Sequence, residues 1–255
     1  MSLKMCCFAS GSKGNCCYVS DGQTNILIDL GISAMRAEKC LAAVGCSPDS
    51  VHIVVTHTHS DHIGGLKVFC KRHPDVKVHC QKESAPGIYR AGLSPVIDGR
   101  ETVVGNISVT AVPVPHDVPC FGYVLSGEGS SVAVVTDVGR LDRAALDVMS
   151  GCGLVMLEAN HDPEMLNCNP RYTRELKSRI ASSYGHLSNI DCADACAYLG
   201  AHGVRSFILA HLSEENNEES LAVSFVKAKL ENSGISGARV VAACQDRMTG
   251  LYEIC

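Results

Sequence analysis

The chain has 255 residues, of which 46% are hydrophobic, and this is enough apolar material for one large α/β domain or two small ones. The formal net charge of −5 excludes the global positive field that many nucleic-acid-binding proteins carry, so any site for a polyanion must be local. No run approaches the roughly 20 apolar residues that cross a bilayer, and residues 1–13 lack the pattern of a signal peptide, so we expect no membrane partner and a cytoplasmic location.

Short apolar strands alternate with turns and helices in the first half of the chain. We predict strands at residues 3–9, 16–20, 25–29, 52–56, 76–80, 107–112, 121–126 and 132–136, and helices at 34–44, 63–72 and 83–91. The second half begins with a strand at 154–157. It continues with helices at 171–183, 190–201 and 218–232, and with strands at 206–210 and near Val240 and Leu251.

This mixture of strands and helices predicts an α/β (α+β) fold. The strands are too short for the regular repeat of a parallel barrel, so we expect two sheets packed face to face with helices outside. No internal repeat or Pro/Gly linker is found, which predicts a single domain over residues 1–255. The 15 cysteines are scattered and form no Cys-x-x-Cys pair, which indicates free thiols in a reducing compartment.

The first candidate binding segment follows the first predicted strand, where residues 10–15 read Ser-Gly-Ser-Lys-Gly-Asn. Two interpretations are open: a phosphate cradle in which Lys13 and Asn15 bind substrate, or a plain hairpin turn. Further along, Asp29 closes the predicted strand 25–29. It is a natural hydrogen-bond acceptor for a metal-binding imidazole, whose tautomer and orientation it would fix.

A dense cluster of metal-binding residue types lies at residues 56–62, which read Thr-His-Thr-His-Ser-Asp-His. Imidazole nitrogen and carboxylate oxygen suit Zn(II), Mn(II) or Fe(II). We expect His57 and His59 on one side of an extended segment, with Asp61 and His62 on the turn into a helix, facing a second ion. Two ions roughly 3.5–4 Å apart can polarise one water molecule. The alternatives are a solvated histidine-rich loop and a single structural metal site.

Three further ligand candidates end apolar strands, where loops usually carry functional sites. His116 follows the segment that ends at Val114, Asp137 ends the strand 132–136, and His211 ends the strand 206–210. Their positions favour a metal centre over the two alternatives.

A local group of cations lies on the predicted helix that leads to His186. Arg174 and Lys177, with neighbouring arginines, could contact backbone phosphates, or they could form a solvated face in which Glu175 is interleaved. Tyr184, two residues before His186, could stack on a base, although packing is the commoner role of a tyrosine.

The ordered set of candidate ligands resembles the metallo-β-lactamase superfamily, whose αββα sandwich of two mixed sheets flanked by helices carries a two-metal site at one edge. A finer likeness comes from residues 157–162, Leu-Glu-Ala-Asn-His-Asp, which look like the Glu-Ala segment of the ribonuclease Z branch. The segments Gly-His-Leu-Ser at 185–188 and Ala-His-Leu-Ser at 210–213 are similar to that branch's paired histidine motifs. With residues 8–15 and 211–217 added, the likeness is greatest to the bacterial YycJ/WalJ group of 5′-to-3′ DNA exonucleases.

That resemblance implies two divalent metal ions, Zn or Mn, and a role for each residue. One ion would be bound by His57, His59 and His116, the other by Asp61, His62 and His211, and both by Asp137. Asp61 would also orient the attacking water, and Glu158 with His186 would assist catalysis. An exchange of the roles of His186 and His211 is an open alternative.

The expected function is therefore hydrolysis of phosphodiesters in nucleic acid, with DNA ends or single strands as partners. The sequence is also compatible with a homodimer. The short interval between Asp137 and His186 leaves no room for the inserted domain of ribonuclease J-like nucleases, and no basic arm of the kind that grips transfer RNA is present. Three alternatives are open: a ribonuclease, a hydrolase of a small cyclic phosphodiester or thioester, and a metal-loaded interaction protein without turnover.

Overall fold

The computed structural model describes residues 2–254, which group into two compact units. Unit 1 comprises Met1–Ala111, Leu125–Ser130 and Cys244–Cys255, and unit 2 comprises Val112–Val124 and Ser131–Ala243. The single domain expected from the sequence stays a prediction. Within the described residues no helix is both long and apolar enough to cross a membrane.

Unit 1 is built on a seven-stranded mixed sheet with the strand order β14-β1-β2-β3-β4-β5-β6. Strands β1, β2, β3 and β14 pair antiparallel, whereas β3 to β6 run parallel and are connected by helices. The strands are β1 (Lys4–Ala9), β2 (Cys16–Ser20), β3 (Asn25–Ile28), β4 (Val51–Val55), β5 (Lys77–Gln81), β6 (Val96–Asp98) and β14 (Tyr252–Glu253). The helices are α1 (Ala34–Ala43), a 3₁₀ turn (Pro48–Ser50), α2 (Ser60–Ile63), α3 (Leu66–Arg72) and α4 (Ala85–Arg90).

The second mixed sheet has the order β13-β12-β11-β10-β9-β8-β7, and boundaries between the units fall within its strands β8, β9 and β10. Strands β10 to β13 are parallel neighbours, so their carboxyl ends lie at one edge of the sheet. The strands are β7 (Glu101–Val104), β8 (Ile107–Val114), β9 (Cys120–Gly127), β10 (Ser130–Val135), β11 (Leu154–Glu158), β12 (Ser206–Ala210) and β13 (Arg239–Ala242). The helices of unit 2 are α5 (Arg143–Met149), α6 (Pro163–Cys168), α7 (Arg174–Ile180), α8 (Asn189–Ala201) and α9 (Glu219–Asn232).

Each unit has its own hydrophobic core between sheet and helices. In unit 1, Ile53 and Val55 of β4 are buried together with Phe69 of α3. In unit 2, Phe207 of β12 is buried together with Leu199 of α8. Full burial of such a side chain stabilises the fold by about 1.5–3 kcal/mol, so these cores hold the strand ends that carry the candidate site. The two mixed sheets with flanking helices confirm the predicted fold class.

The predicted strands are all present, with boundaries shifted by at most two residues. Strands β6 and β7 and helices α5 and α6 were not predicted. The helix predicted at 63–72 is in fact two, α2 and α3, separated at Gly64 and Gly65. An ideal Cβ on Gly65 would lie 1.9 Å from the carbonyl oxygen of Ile32, so this close approach requires glycine. The Gly65 N–H donates to the Leu30 carbonyl oxygen instead of to a carbonyl of the preceding helical turn. The helix predicted at 171–183 begins later, because the Thr173 side chain caps its first turn, and it ends at Ile180.

Candidate functional site

In unit 1 the predicted ligands follow strand β4 directly. His59 is extended, with φ −67° and ψ 153°, and is the N-cap of the short helix α2, which contains Asp61 and His62. The ring centroids of His57 and His62 are 4.0 Å apart, and those of His57 and His59 are 4.7 Å apart. Asp61 Oδ2 lies 3.5 Å from His62 Nε2. The structure therefore brings all four residues of the motif together.

Asp29 lies behind this cluster, at the end of β3. Its buried carboxylate is 2.6 Å from His62 Nδ1 and accepts hydrogen bonds from the Thr56 backbone N–H (2.8 Å) and hydroxyl (2.7 Å). A carboxylate at Nδ1 holds the proton there, so Nε2 of His62 keeps the lone pair that a metal needs. Thr56 Oγ1 also lies 3.0 Å from His57 Nδ1, a contact that the sequence analysis did not assign.

Backbone contacts fix the motif from the side of the N-terminal loop. The Asn15 N–H donates to the carbonyl oxygen of Asp61 at 2.7 Å, and the Leu30 N–H donates to that of His62 at 2.8 Å. The Asn15 side chain is buried, and its Nδ2 lies 3.0 Å from His62 Nε2 and 3.4 Å from Asp61 Oδ2. An ideal Cβ on Gly31 would lie 1.6 Å from the Asp61 carbonyl oxygen, so only glycine fits there.

Most backbone donors of the loop at residues 10–15 are bonded within the loop or to neighbouring segments. The N–H of Gly11 donates to Asn15 Oδ1, that of Gly14 to the Gly11 carbonyl, and that of Lys13 to Gln245 Oε1. These contacts favour the hairpin turn over the phosphate cradle. The Lys13 side chain is exposed.

In unit 2 three parallel strands end at one edge of the sheet. Asp137 follows β10, Glu158 ends β11 and His211 follows β12, and the register places Glu158 beside Ala210. Ligand atoms of Asp137, Glu158, His186 and His211 all lie within 4.8 Å of one another. The structure thus brings together four of the residues predicted for this half of the chain.

Glu158 connects these side chains. It is completely buried; its Oε1 lies 2.8 Å from His186 Nδ1 and 2.7 Å from His211 Nδ1, and its Oε2 accepts from the N–H groups of Val138 and Leu187. Burial by itself raises the pKa of Glu158, but the charges and hydrogen bonds of the two histidines outweigh it and lower the pKa to about 2. Burial lowers the pKa of His186, whereas Glu158 raises it, and the net shift is upward.

His116 lies on the loop after β8. Its Nδ1 is 3.2 Å from the Gly185 carbonyl oxygen, and its ring centroid is 5.4 Å from that of His186. Burial is the main reason that the pKa of His116 is lowered, and it favours the neutral ring, which is the metal-binding form.

The backbone at three predicted site residues is unusual. Asp29, Asp137 and His211 have φ values of 60°, 56° and 53°, and they are the non-glycine residues with positive φ in the described chain. The left-handed region costs an L-residue energy, so such residues concentrate at functional sites, where the surroundings hold them.

Other polar and charged residues of unit 2 have varied surroundings. Arg174 is exposed on α7, and Lys177 Nζ donates to the Asn167 carbonyl oxygen at 2.6 Å. Asp162 is the N-cap of α6, where its side chain accepts from two backbone N–H groups. His161 is buried, and its Nδ1 has no hydrogen-bond partner among the described residues.

Comparison with known proteins gives consistent similarities. A family model described as a beta-lactamase superfamily domain matches residues 24–212. The chain is 33% identical to an exodeoxyribonuclease YycJ of Bacillus anthracis over 92% of this chain and 91% of the relative. It is 30% identical to an exodeoxyribonuclease WalJ of Streptococcus pneumoniae over 100% of this chain and 99% of the relative. The metallo-beta-lactamase fold protein YhfI of Bacillus subtilis has a TM-score of 0.74 at 12% identity, covering 98% of this chain and 100% of that one, which establishes the fold alone.

Proposed function

Because this chain belongs to the beta-lactamase superfamily and is a metal-dependent hydrolase, we propose that it is a 5′-to-3′ DNA exonuclease that uses two divalent ions. The proposal of DNA as substrate rests on the full-length similarity to the two exodeoxyribonucleases. A cytoplasmic location is part of the proposal, since buried cysteines such as Cys7, Cys17 and Cys196 are free thiols.

One observation carries the metal-dependent mechanism: buried carboxylates occupy Nδ1 of predicted ligand histidines in both units. Asp29 does so at His62, and Glu158 does so at His211. In each case the carboxylate keeps the ring proton on Nδ1 and the lone pair on Nε2, which is the arrangement of a metal-binding histidine and its supporting acceptor. The donor set is imidazole and carboxylate, which fits Zn(II) and Mn(II).

We assign the metal ligands as the seven side chains that the family resemblance implies. Asp137 would be shared by both ions. The ligands to the first ion would be His57, His59 and His116, and those to the second would be Asp61, His62 and His211. When bound, the two ions would lower the pKa of a water molecule toward about 7 and offset charge on the phosphoryl oxygens.

The exposure of the two late histidines supports their assigned roles. The side chain of His211 is 3% exposed and that of His186 is 22% exposed, although both contact Glu158. A ligand is best buried, whereas a proton donor must reach the substrate. His186 would therefore protonate the departing oxygen through Nε2, while Glu158 holds Nδ1 and raises the pKa of the ring.

The remaining side chains would orient water and substrate. Asp61 would orient the attacking water, and Asn15, which is buried against Asp61 and His62, would position those two side chains. Lys13, Arg174 and Lys177 would bind backbone phosphates.

The test is incubation of the metal-loaded chain, in Mn(II) and separately in Zn(II), with end-labelled DNA and RNA of one sequence and with a chromogenic phosphodiester. We expect mononucleotides released from the 5′ end of DNA. Faster degradation of RNA would indicate a ribonuclease, and turnover of the small ester alone would indicate a small-molecule hydrolase. No turnover at full metal content would indicate an interaction protein.

The same preparation tests the ligand assignment by elemental analysis. His211→Ala should lose metal, whereas His186→Ala should keep metal and turn over roughly 10²-fold to 10⁴-fold more slowly, the usual contribution of a proton donor. Loss of metal from His186→Ala alone would mean that the two roles are exchanged.

A further inference from the structure

The exposed apolar side chains of unit 2 are concentrated around His186. Among the described residues of that unit, the exposed large hydrophobic side chains are Leu176, Tyr184 and Ile190, all within the 15-residue stretch that contains His186. Tyr184 is 62% exposed, two positions from the proposed proton donor. Exposed apolar surface beside a candidate site is where proteins commonly bind ligands.

The loop that carries Tyr184 is held tightly by two glycines. An ideal Cβ on Gly139 would lie 2.3 Å from the Ser183 carbonyl carbon and 2.6 Å from the Tyr184 nitrogen. An ideal Cβ on Gly185 would lie 2.2 Å from the Arg179 carbonyl oxygen. The backbone of this loop is therefore packed against the segment after Asp137 on one side and against α7 on the other. A ring on so closely packed a backbone loses little conformational entropy when it binds.

A cleft lies beside this loop. Its volume is about 400 Å³, within the range of small-ligand sites. Its walls include Leu141, Leu187 and the exposed cation Arg140, together with the carboxylates of Asp191 and Asp194. Arg140 follows Gly139 and so adjoins the loop that carries Tyr184. The two carboxylates already have partners, since Asp191 accepts from the Ser188 hydroxyl and Asp194 pairs with Lys229. An exposed cation beside an exposed ring is the combination with which proteins bind single strands, whose bases stack and whose phosphates are negatively charged.

We propose that Tyr184 stacks on a base of the substrate strand next to the scissile phosphate and that Arg140 binds a neighbouring phosphate. This inference rests on the proposed function, and it specifies the substrate as single-stranded DNA at the point of cleavage. Stacking on a π-face does not depend on base identity, so the site would accept any sequence, as an exonuclease requires.

The first experiment measures binding of a fluorescent single-stranded oligonucleotide to the metal-loaded chain. Tyr184→Ala should weaken binding roughly 5-fold to 150-fold, the usual effect of losing one stacked base, whereas Tyr184→Phe should retain the affinity. We expect a series of oligonucleotides, each with an abasic nucleotide at a different position, to identify the stacked base. At one position the missing base should weaken binding to the wild-type chain, and at that same position it should not weaken binding to Tyr184→Ala any further. Additive losses at every position, or unchanged affinity of Tyr184→Ala, would overturn the inference.

A second measurement reports on the ring itself. The chain has no tryptophan, so Tyr184→Trp introduces a single indole whose emission should be quenched by a stacked base. Val103→Trp, at a 69% exposed position on β7 in unit 1, is the matched control and should not be quenched. Equal quenching of the two variants would contradict stacking at Tyr184.

Turnover separates this inference from the proposed function. Hydrolysis of a small chromogenic phosphodiester should be the same in Tyr184→Ala and wild type, because that substrate has no neighbouring base. If DNA binds through Tyr184 but no nucleotide is released, the exonuclease proposal fails and the stacking site stands. If nucleotides are released equally well by Tyr184→Ala at low DNA concentration, the stacking site fails and the exonuclease stands.

Discussion

Glu158→Gln separates the two roles that the buried carboxylate has in unit 2. In the wild-type chain one oxygen of Glu158 accepts from the rings of His186 and His211, and the other accepts from two backbone N–H groups. An amide has one accepting oxygen and an NH₂ group in place of the other. One of the two pairs of donors must therefore lose its acceptor.

The expected effects follow from which contacts are lost. Each hydrogen bond to a charged group contributes about 1.5–3 kcal/mol, so the carboxylate is costly to replace. If the two histidine rings lose their accepting oxygen, metal affinity should fall roughly 10-fold to 100-fold, because His211 is no longer oriented. Turnover at saturating metal should fall roughly 10²-fold to 10⁴-fold, or about 3–5 kcal/mol, because His186 loses the partner that orients it and keeps it protonated.

The assay combines metal content after dialysis against graded Mn(II) with kcat on a chromogenic phosphodiester at saturating Mn(II). Glu175→Gln, on the exposed face of α7, is the matched control and should leave both quantities unchanged. The alkaline limb of the kcat profile should also move to lower pH in Glu158→Gln, since Glu158 raises the pKa of His186. Wild-type turnover by the fully loaded Glu158→Gln chain would refute the pairing of Glu158 with a proton donor.

Four further predictions address the supporting contacts. Asp29→Asn should weaken metal binding roughly 10-fold to 100-fold in competition with a chromogenic chelator, because the charge at His62 Nδ1 is lost, and unchanged affinity would contradict this role. Gly31→Ala should yield little folded protein by circular dichroism, since its Cβ would clash with the Asp61 carbonyl, while Gly250→Ala, with nothing within 4 Å, should fold normally. Replacing Arg174 and Lys177 by Gln should reduce the slope of log affinity against log salt for single-stranded DNA by roughly 1 to 2, and an unchanged slope would exclude both as phosphate contacts. The metal-free chain should lose stability in acid, because the pKa of Glu158 is lowered from 4.5 to about 2. The contribution of Glu158 to the free energy of unfolding is therefore complete above about pH 4.5 and is lost as the pH falls through about 2. Urea titrations should show a shallower decline of that free energy with falling pH for Glu158→Gln.

The metal-binding motif at residues 56–62 could be predicted because its information is local. Spacing alone places His57 and His59 beside each other at the end of a strand, and the structure brings their rings to 4.7 Å. Asp137 and His211 could be predicted as strand-end residues, because apolar runs precede both. The joint contact of Glu158 with His186 and His211 could not be derived from spacing, since it depends on the register of β11 and β12 and on the loop before α8.

The elements missed in the sequence had two kinds of cause. Strand β6 is short and exposed, with Val96 and Ile97 42% and 44% exposed, so it lacks the apolar alternation that identifies a strand. Helix α6, in contrast, has a readable start, because Asp162 is followed by Pro163 at the first helical position. The sequence analysis nevertheless predicted no helix there, and the Asp162 side chain is the cap of α6.

The conformation of the backbone adds an argument for function that residue types alone do not provide. Asp29, Asp137 and His211 each adopt the left-handed conformation within two residues of the end of a strand, which costs about 1–3 kcal/mol for a residue other than glycine. Glycine would remove that strain but would supply neither a ligand nor an acceptor for His62. Local contacts hold the strained geometry: the Asp29 N–H donates to the Val54 carbonyl, and the His211 ring is hydrogen-bonded to Glu158. Stability and the proposed chemistry thus favour different residues at these three positions, and the chain has the residues that the chemistry requires.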